Sequence, residues 1–123
     1  MFELNVEDEF ASAHYLRGYK GKCERVHGHN YRVMITVKAK ALNKIGLAVD
    51  FTELKEELKK VMEVLDHNLL DELPAFRKVN PSAENIAKFI FDSIAKKLKA
   101  KRVKLSKVTV WETARSSASY TNE

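Results

Sequence analysis

The chain is poor in the residues that usually staple or interrupt small folds. Of its 123 residues only Cys23 is a cysteine, only Pro74 and Pro81 are prolines, and glutamine is missing altogether. One thiol excludes any disulfide within the chain, and with it the cross-linked scaffolds typical of small secreted domains. No segment approaches the about 20 consecutive apolar residues that a membrane helix requires. The opening residues, Phe2-Glu3-Leu4-Asn5-Val6, lack the basic stretch and apolar block of a signal peptide. These absences lead to the expectation of a cytoplasmic protein with no membrane partner. The missing glutamine beside abundant lysine and glutamate is compatible with a heat-adapted source.

What is present is the make-up of one soluble domain spanning 1–123, with 45% hydrophobic and 32% charged residues. The formal charge of +5 favours an anionic partner or substrate, though weakly. Much of the excess sits in Lys96, Lys97, Lys99, Lys101, Arg102, Lys104 and Lys107. That run crosses a predicted helix C-terminus, where the helix dipole favours lysine, and no aromatic residues interleave with it. It reads as a solvated surface and not as a nucleic-acid site.

Hydrophobic periodicity orders the chain. Phe2, Leu4, Val6 and Phe10 alternate like one face of a half-buried strand over 2–14, and His14 shares their parity if no bulge intervenes. Residues 15–25 carry two glycines and no period, so they read as a loop. Alternation resumes over 26–40 with Tyr31, Val33, Ile35, Val37 and Ala39 on one face, and a turn follows near Asn43 to Gly46. Phe51, Leu54, Leu58, Val61, Met62 and Leu65 then recur at helical spacing, with Asp50 and Glu53 as a capping box and an end near Asp66-His67. Ser82 is the expected N-cap of a second helix, striped by Ile86, Phe89, Ile90, Ile94 and Leu98. Residues 103–112 and 116–121 read as strands. The order β-β-α-α-β-β predicts an α+β fold, an antiparallel sheet with both helices on one face. Four strands leave exposed edges that invite pairing with other copies.

Chemistry concentrates in the four histidines. His27-Gly28-His29 places two imidazoles on the same face of a strand, with Gly28 pointing away between them. If the first two strands pair antiparallel, His14 comes opposite this couple and three imidazoles converge. Three ligands with a fourth position free is the open arrangement of a catalytic zinc site, whereas structural sites close with four. The competing reading is three unconnected strand residues. A cupin-type site also begins His-x-His, but it wants a glutamate where Val33 and Met34 stand.

Three further groups could serve such a centre. Cys23 lies four residues before His27, flanked by Lys22, Glu24 and Arg25; beside a cation its thiolate could abstract a proton, attack, or act as fourth ligand. An isolated cysteine is more often a small buried hydrophobe, but these flanks disfavour burial. Asp66-His67 could form an acid–base couple provided the helix ends there, since neighbours on a helix do not face each other; the alternative is a helix-terminal histidine serving the dipole. Glu112 closes the strand Val108-Thr109-Val110-Trp111-Glu112 on the inward parity. It could grip a guanidine-like ligand edge through paired hydrogen bonds, or simply turn to solvent.

Six segments, in order, resemble one family. They are Phe10-Ala11-Ser12-Ala13-His14, Cys23-Glu24-Arg25-Val26-His27-Gly28-His29, Val49-Asp50-Phe51, Leu65-Asp66-His67, Asn80-Pro81-Ser82-Ala83-Glu84-Asn85 and Trp111-Glu112-Thr113. Together they resemble the 6-pyruvoyl-tetrahydropterin synthase family, most closely its 6-carboxytetrahydropterin synthase branch. The resemblance implies the tunnelling fold, in which strands close a barrel across subunits, a homo-hexamer built as a dimer of trimers, and active sites between subunits. It implies zinc on His14, His27 and His29, proton abstraction by Cys23, an acid–base relay of His67 with Asp66, and pterin anchoring by Glu112. The implied substrate is 7,8-dihydroneopterin triphosphate, which suits the positive charge. The three-residue gap between Cys23 and His27 resembles the carboxy branch, which releases acetaldehyde and triphosphate and feeds a queuosine-type pathway. Biopterin-pathway members, which make the pyruvoyl product, have a longer spacer. Members making a hydroxymethyl pterin place glutamate where the cysteine acts, and here Glu24 is its neighbour. Two departures stand out: Ser82 replaces a usual threonine and keeps a capping hydroxyl, and Asp71 stands where asparagine often follows the Asp-His pair.

Overall fold

Two long alternating segments find each other and set the frame. The computed structural model describes residues 1–99 and 101–122, with every side chain among them except that of Cys23. In it β1 (Phe2–His14) and β2 (His27–Ala39) pair antiparallel from Phe2 opposite Ala39 to His14 opposite His27. β3 (Lys104–Thr113) joins the other edge of β2, and β4 (Ser116–Thr121) follows it, giving an antiparallel sheet in the order β1-β2-β3-β4. Between β2 and β3 the chain forms α1 (Phe51–Leu65) and α2 (Ala83–Leu98). The expected β-β-α-α-β-β architecture is the observed one.

Alternation explains which face is covered. Tyr31, Val33, Ile35 and Val37 are fully buried, as are Val108 and Val110, and they meet Leu54, Leu58 and Leu65 of α1 and Ile86, Ile90 and Ile94 of α2. Each such side chain contributes about 1.5–3 kcal/mol on leaving water. The opposite face is polar: Asn5 accepts a hydrogen bond from Thr36, Arg32 pairs with Glu7 at 2.9 Å and stacks on Trp111, and Thr109 bonds Ser119. Among the described residues no helix is long and apolar enough to cross a membrane.

Several local expectations need correction. Phe2 and Phe51, placed on apolar stripes by period, are 45% and 50% exposed. Each is the first residue of its element, where the packed layer runs out. The Asp50–Glu53 box does not close: the Asp50 carboxylate accepts from Thr52 N, while Glu53 lies 3.4 Å from Lys101. Three short 3-10 turns, Lys22–Glu24, Leu70–Glu72 and Pro74–Phe76, carry too few residues to leave a periodic signal, yet they drive Leu70 and Phe76 into the core. Gly46, at φ 86°, completes the turn after β2, where its N–H reaches Asn43 O and the Asn43 N–H reaches Leu47 O.

The α1 cap has a pH signature. The bond from Thr52 N–H holds the Asp50 carboxyl below its ordinary pKa. A depressed folded-state value means stabilisation that is complete above the unfolded pKa of about 3.9 and is lost as pH falls through the folded value. Asp50→Ala is therefore expected to lower Tm at neutral pH, with the difference from wild type narrowing below the usual carboxylate range. Parallel thermal melts across that range check this; a gap independent of pH would remove the carboxylate charge from the account.

Candidate metal centre and active site

Strand register brings the three histidines together. His14 stands opposite His27, and Ser12 opposite His29, at the end of the β1–β2 ladder. Their ligand atoms all lie within 4.8 Å of one another. The His14 Nδ1 lies 2.7 Å from Pro81 O, and the His27 Nδ1 lies 2.8 Å from Arg25 O. A carbonyl oxygen only accepts, so each Nδ1 carries a proton and each Nε2 is the nitrogen left to face the cluster. Those two Nε2 atoms lie 3.1 Å apart, a separation that a proton or a metal ion between them would bridge. Nitrogens bound tetrahedrally to zinc at about 2.0–2.1 Å lie about 3.3 Å apart, close to the observed spacing. The Nε2 of His29 is buried with no hydrogen-bond partner among the described residues. The donor set therefore fits a metal ion on its own geometry.

The surroundings keep these ligands available. Burial lowers the His29 pKa, opposed by Glu112 and assisted by His14 and His27, which favours the neutral, ligating imidazole. Tyr31 forms a fully buried floor, edge-on to His14 and His29 and stacked on Phe10 at 4.6 Å. Burial raises its phenol pKa well above the ordinary value, so it stays protonated. Gly28 is less necessary than its position suggests: a Cβ there would meet only Ser12 O, at 3.6 Å.

Glu112 joins this centre. The pairing of β3 with β4 shifts register between Trp111 and Thr113, so Glu112 drops out of the ladder as a bulged residue. Its carboxylate comes 3.8 Å from the His14 Nε2 with its side chain 31% exposed. It borders a recess of about 340 Å³ shared with Leu16, Ser82, Ser116 and Ser117. The two β4 serines were not singled out from sequence, since a short polar strand end gives no motif. The backbone acceptors Pro81 O and Arg25 O were equally invisible, because any residue type supplies a carbonyl.

Asp66 and His67 form the expected couple, but elsewhere. Helix α1 ends at Leu65, and His67 adopts a left-handed φ of 55°, which turns its ring back onto Asp66 with Nδ1 2.7 Å from Oδ2. The imidazole thus bonds a carboxylate and not the carbonyls of the last helical turn. Asp66 Oδ1 accepts from Ala11 N at 2.8 Å, and His67 N donates to Ala11 O at 2.6 Å. The Ala11 N–H, followed by His67, holds the Asp66 carboxyl below its ordinary pKa. This couple is thus stapled to the outer edge of β1, with the His67 side chain 82% exposed. Ala11 is three residues before His14, about 10 Å along a strand. One chain does not bring His67 to the three-histidine cluster. Cys23 lies in the 3-10 turn leading into β2, and its side chain falls outside the described residues.

The same fold recurs in a solved structure. The 6-pyruvoyl tetrahydropterin synthase of Caenorhabditis elegans superposes with a TM-score of 0.89 over 99% of this chain and 96% of that one, at 27% identity. This chain combines that fold, a four-stranded sheet carrying two helices on one face, with a histidine triad at the end of the β1–β2 ladder. Residues 3–123 match the 6-pyruvoyl tetrahydropterin synthase family, and the chain belongs to it. Among its relatives, a protein of Dictyostelium discoideum named 6-pyruvoyl tetrahydrobiopterin synthase is 37% identical over 108 residues, 78% of this chain and 80% of that protein. A protein of Aquifex aeolicus named 6-carboxy-5,6,7,8-tetrahydropterin synthase is 32% identical over 125 residues, 83% of this chain and 77% of that protein.

Zinc titration distinguishes ligands from neighbours. His14→Ala, His27→Ala and His29→Ala are each expected to weaken zinc binding beyond the about 10–100-fold typical of changes around a site. His67→Ala should leave affinity unchanged. Competition with a chromophoric chelator measures all four; full zinc affinity in any of the first three variants would remove that residue from the ligand set.

Proposed function

We propose that this protein converts 7,8-dihydroneopterin triphosphate and one water to 6-carboxy-5,6,7,8-tetrahydropterin, releasing acetaldehyde and triphosphate, at a zinc centre held by His14, His27 and His29. The observation that carries the reading is the convergence of three imidazoles beside Glu112 in a member of this family. Zinc supplies a Lewis acid that acidifies carbon-bound protons next to the oxygens it polarises. The Glu112 carboxylate offers two acceptors to the amino-pyrimidine edge of the pterin. Cys23 as thiolate takes a proton from the substrate side chain. His67, whose Nδ1–H is committed to Asp66, carries protons on its Nε2.

The position of His67 on the outside of β1 supports an active site completed between subunits, as in a homo-hexamer of two trimers. The chain is read as a single domain over 1–123, working in the cytoplasm with a small-molecule substrate and no nucleic-acid partner. Release of the carboxy product into a queuosine-type pathway follows from the branch.

The three-residue gap between Cys23 and His27 supports the carboxy branch. A second reading, formation of 6-pyruvoyl-tetrahydropterin by triphosphate elimination, draws support from the Dictyostelium relative's name. Incubating zinc-loaded protein with 7,8-dihydroneopterin triphosphate and identifying products by mass decides between them. The carboxy pterin with acetaldehyde is expected; the pyruvoyl pterin without acetaldehyde would establish the second reading. Cys23→Ala should lose turnover by at least about 100-fold, the lower range for a proton-transfer group, while keeping its zinc. Wild-type turnover in that variant would take Cys23 out of the mechanism.

A further inference from the structure

Three residues beyond His14, the chain is clasped a second time to the segment that holds that ligand. Arg17 donates from Nη1 to Arg77 O at 2.8 Å, and from Nη2 to Phe76 O at 2.6 Å and Val79 O at 2.8 Å. Its Nε and its backbone N–H both reach Asn80 Oδ1 at 3.0 Å, and Asn80 Nδ2 returns a bond to Arg17 O at 2.9 Å. The next residue is Pro81, whose carbonyl takes the His14 Nδ1–H. The strand end and the 76–81 segment are therefore tied at 14 to 81 and at 17 to 80. Beneath the clasp, Asp71 accepts from Tyr15 N at 3.0 Å and lies 3.7 Å from the Arg17 Nε, with only 2% of its side chain exposed.

We propose that Arg17 is a positioning residue for the metal centre: by binding three carbonyls of the 76–79 segment and Asn80, it fixes the Pro81 carbonyl that sets the tautomer and ring orientation of His14. Among the described bonds, the residues just before Pro81 are held by Arg17 and, at Asn80 O, by the Asn85 Nδ2 at 2.8 Å. Proline has no N–H, so its own backbone cannot anchor the segment through a donor. Residues 77–80 belong to no helix or strand. The carbonyls of 76, 77 and 79 need donors, and a planar guanidinium supplies several in one rigid fork. Asp71 lies beneath the clasp, accepting from Tyr15 N and standing 3.7 Å from the Arg17 Nε, but the carbonyl bonds are made by Arg17 itself.

This inference rests on the zinc reading of the three histidines, and zinc affinity separates the two. Apo protein is titrated with zinc in competition with a chelator, and the cobalt-substituted form is examined by visible absorption. Wild type is expected to bind tightly; wild type that takes up no zinc would overturn the metal reading and this inference with it. Arg17→Ala and Arg17→Lys should each lose about 10–100-fold in affinity, the usual effect of disturbing a ligand's hydrogen-bond partner, with altered cobalt bands. Lysine keeps the charge beside Asp71 but cannot reach three carbonyls at once. Asp71→Asn, which retains the acceptor for Tyr15 and leaves Arg17's carbonyl bonds intact, should stay within twofold. Should Arg17→Ala fail to fold because the buried Asp71 charge is stranded, the double variant Arg17→Ala, Asp71→Asn removes that charge and should show the same loss. Leu98→Ala, a core truncation at the far end of α2, serves for stability alone and should keep its affinity while losing Tm. Arginine variants that bind zinc within twofold of wild type, or a Leu98→Ala loss as large as theirs, would overturn the proposal.

Discussion

The antiparallel ladder between β1 and β2 carries the geometry of the whole centre. Thirteen residue pairs run without a break from Phe2–Ala39 to His14–His27. Slipping β2 by one residue would send each of its side chains to the opposite face. Tyr31, Val33, Ile35 and Val37 would leave the core together, at a cost far above the few kcal/mol by which domains of this size are stable. The register is therefore fixed by oil and not by the histidines. The three imidazoles converge because they extend, at the ladder's last rungs, an alternation that hydrophobic burial has already locked.

That dependence explains what could be read from the sequence and what could not. Strand and helix limits were legible because their apolar periods are long: β1, β2, α1 and α2 each run for 13 residues or more. The histidine triad was legible for the same reason, since parity alone puts His27 beside His29 and pairing brings in His14. Phe2 and Phe51 misled because period says which face a residue shares, not whether the neighbouring layer extends that far. The capping box failed because Thr52 offered the Asp50 carboxylate a nearer N–H and Lys101 drew Glu53 away. Asp71 had no meaning in one dimension, because Tyr15 and Arg17, its partners, lie more than fifty residues upstream.

Division of labour between backbone and side chain runs through the centre. His14 and His27 each spend Nδ1–H on a carbonyl, which fixes the tautomer without using a second side chain. Asp66 does the same for His67, but with a carboxylate, 2.7 Å from the His67 Nδ1. In one setting a carbonyl directs the ring within the cluster; in the other a carboxylate holds the ring at the edge of β1.

The same contrast appears in where the groups sit. His14 is 1% exposed and closed in by Tyr31 and the Pro81 carbonyl, which leave its ring little freedom. His67 stands at the outer edge of β1, where the 66–69 segment bonds Ala11 and Ala13, with its ring in the open. Its left-handed φ is a conformation that costs a non-glycine residue free energy, and Asp66 together with the Ala11 backbone offsets that cost. The strain is thus borne by the turn after α1, and what it secures is the contact between the His67 Nδ1 and the Asp66 carboxylate.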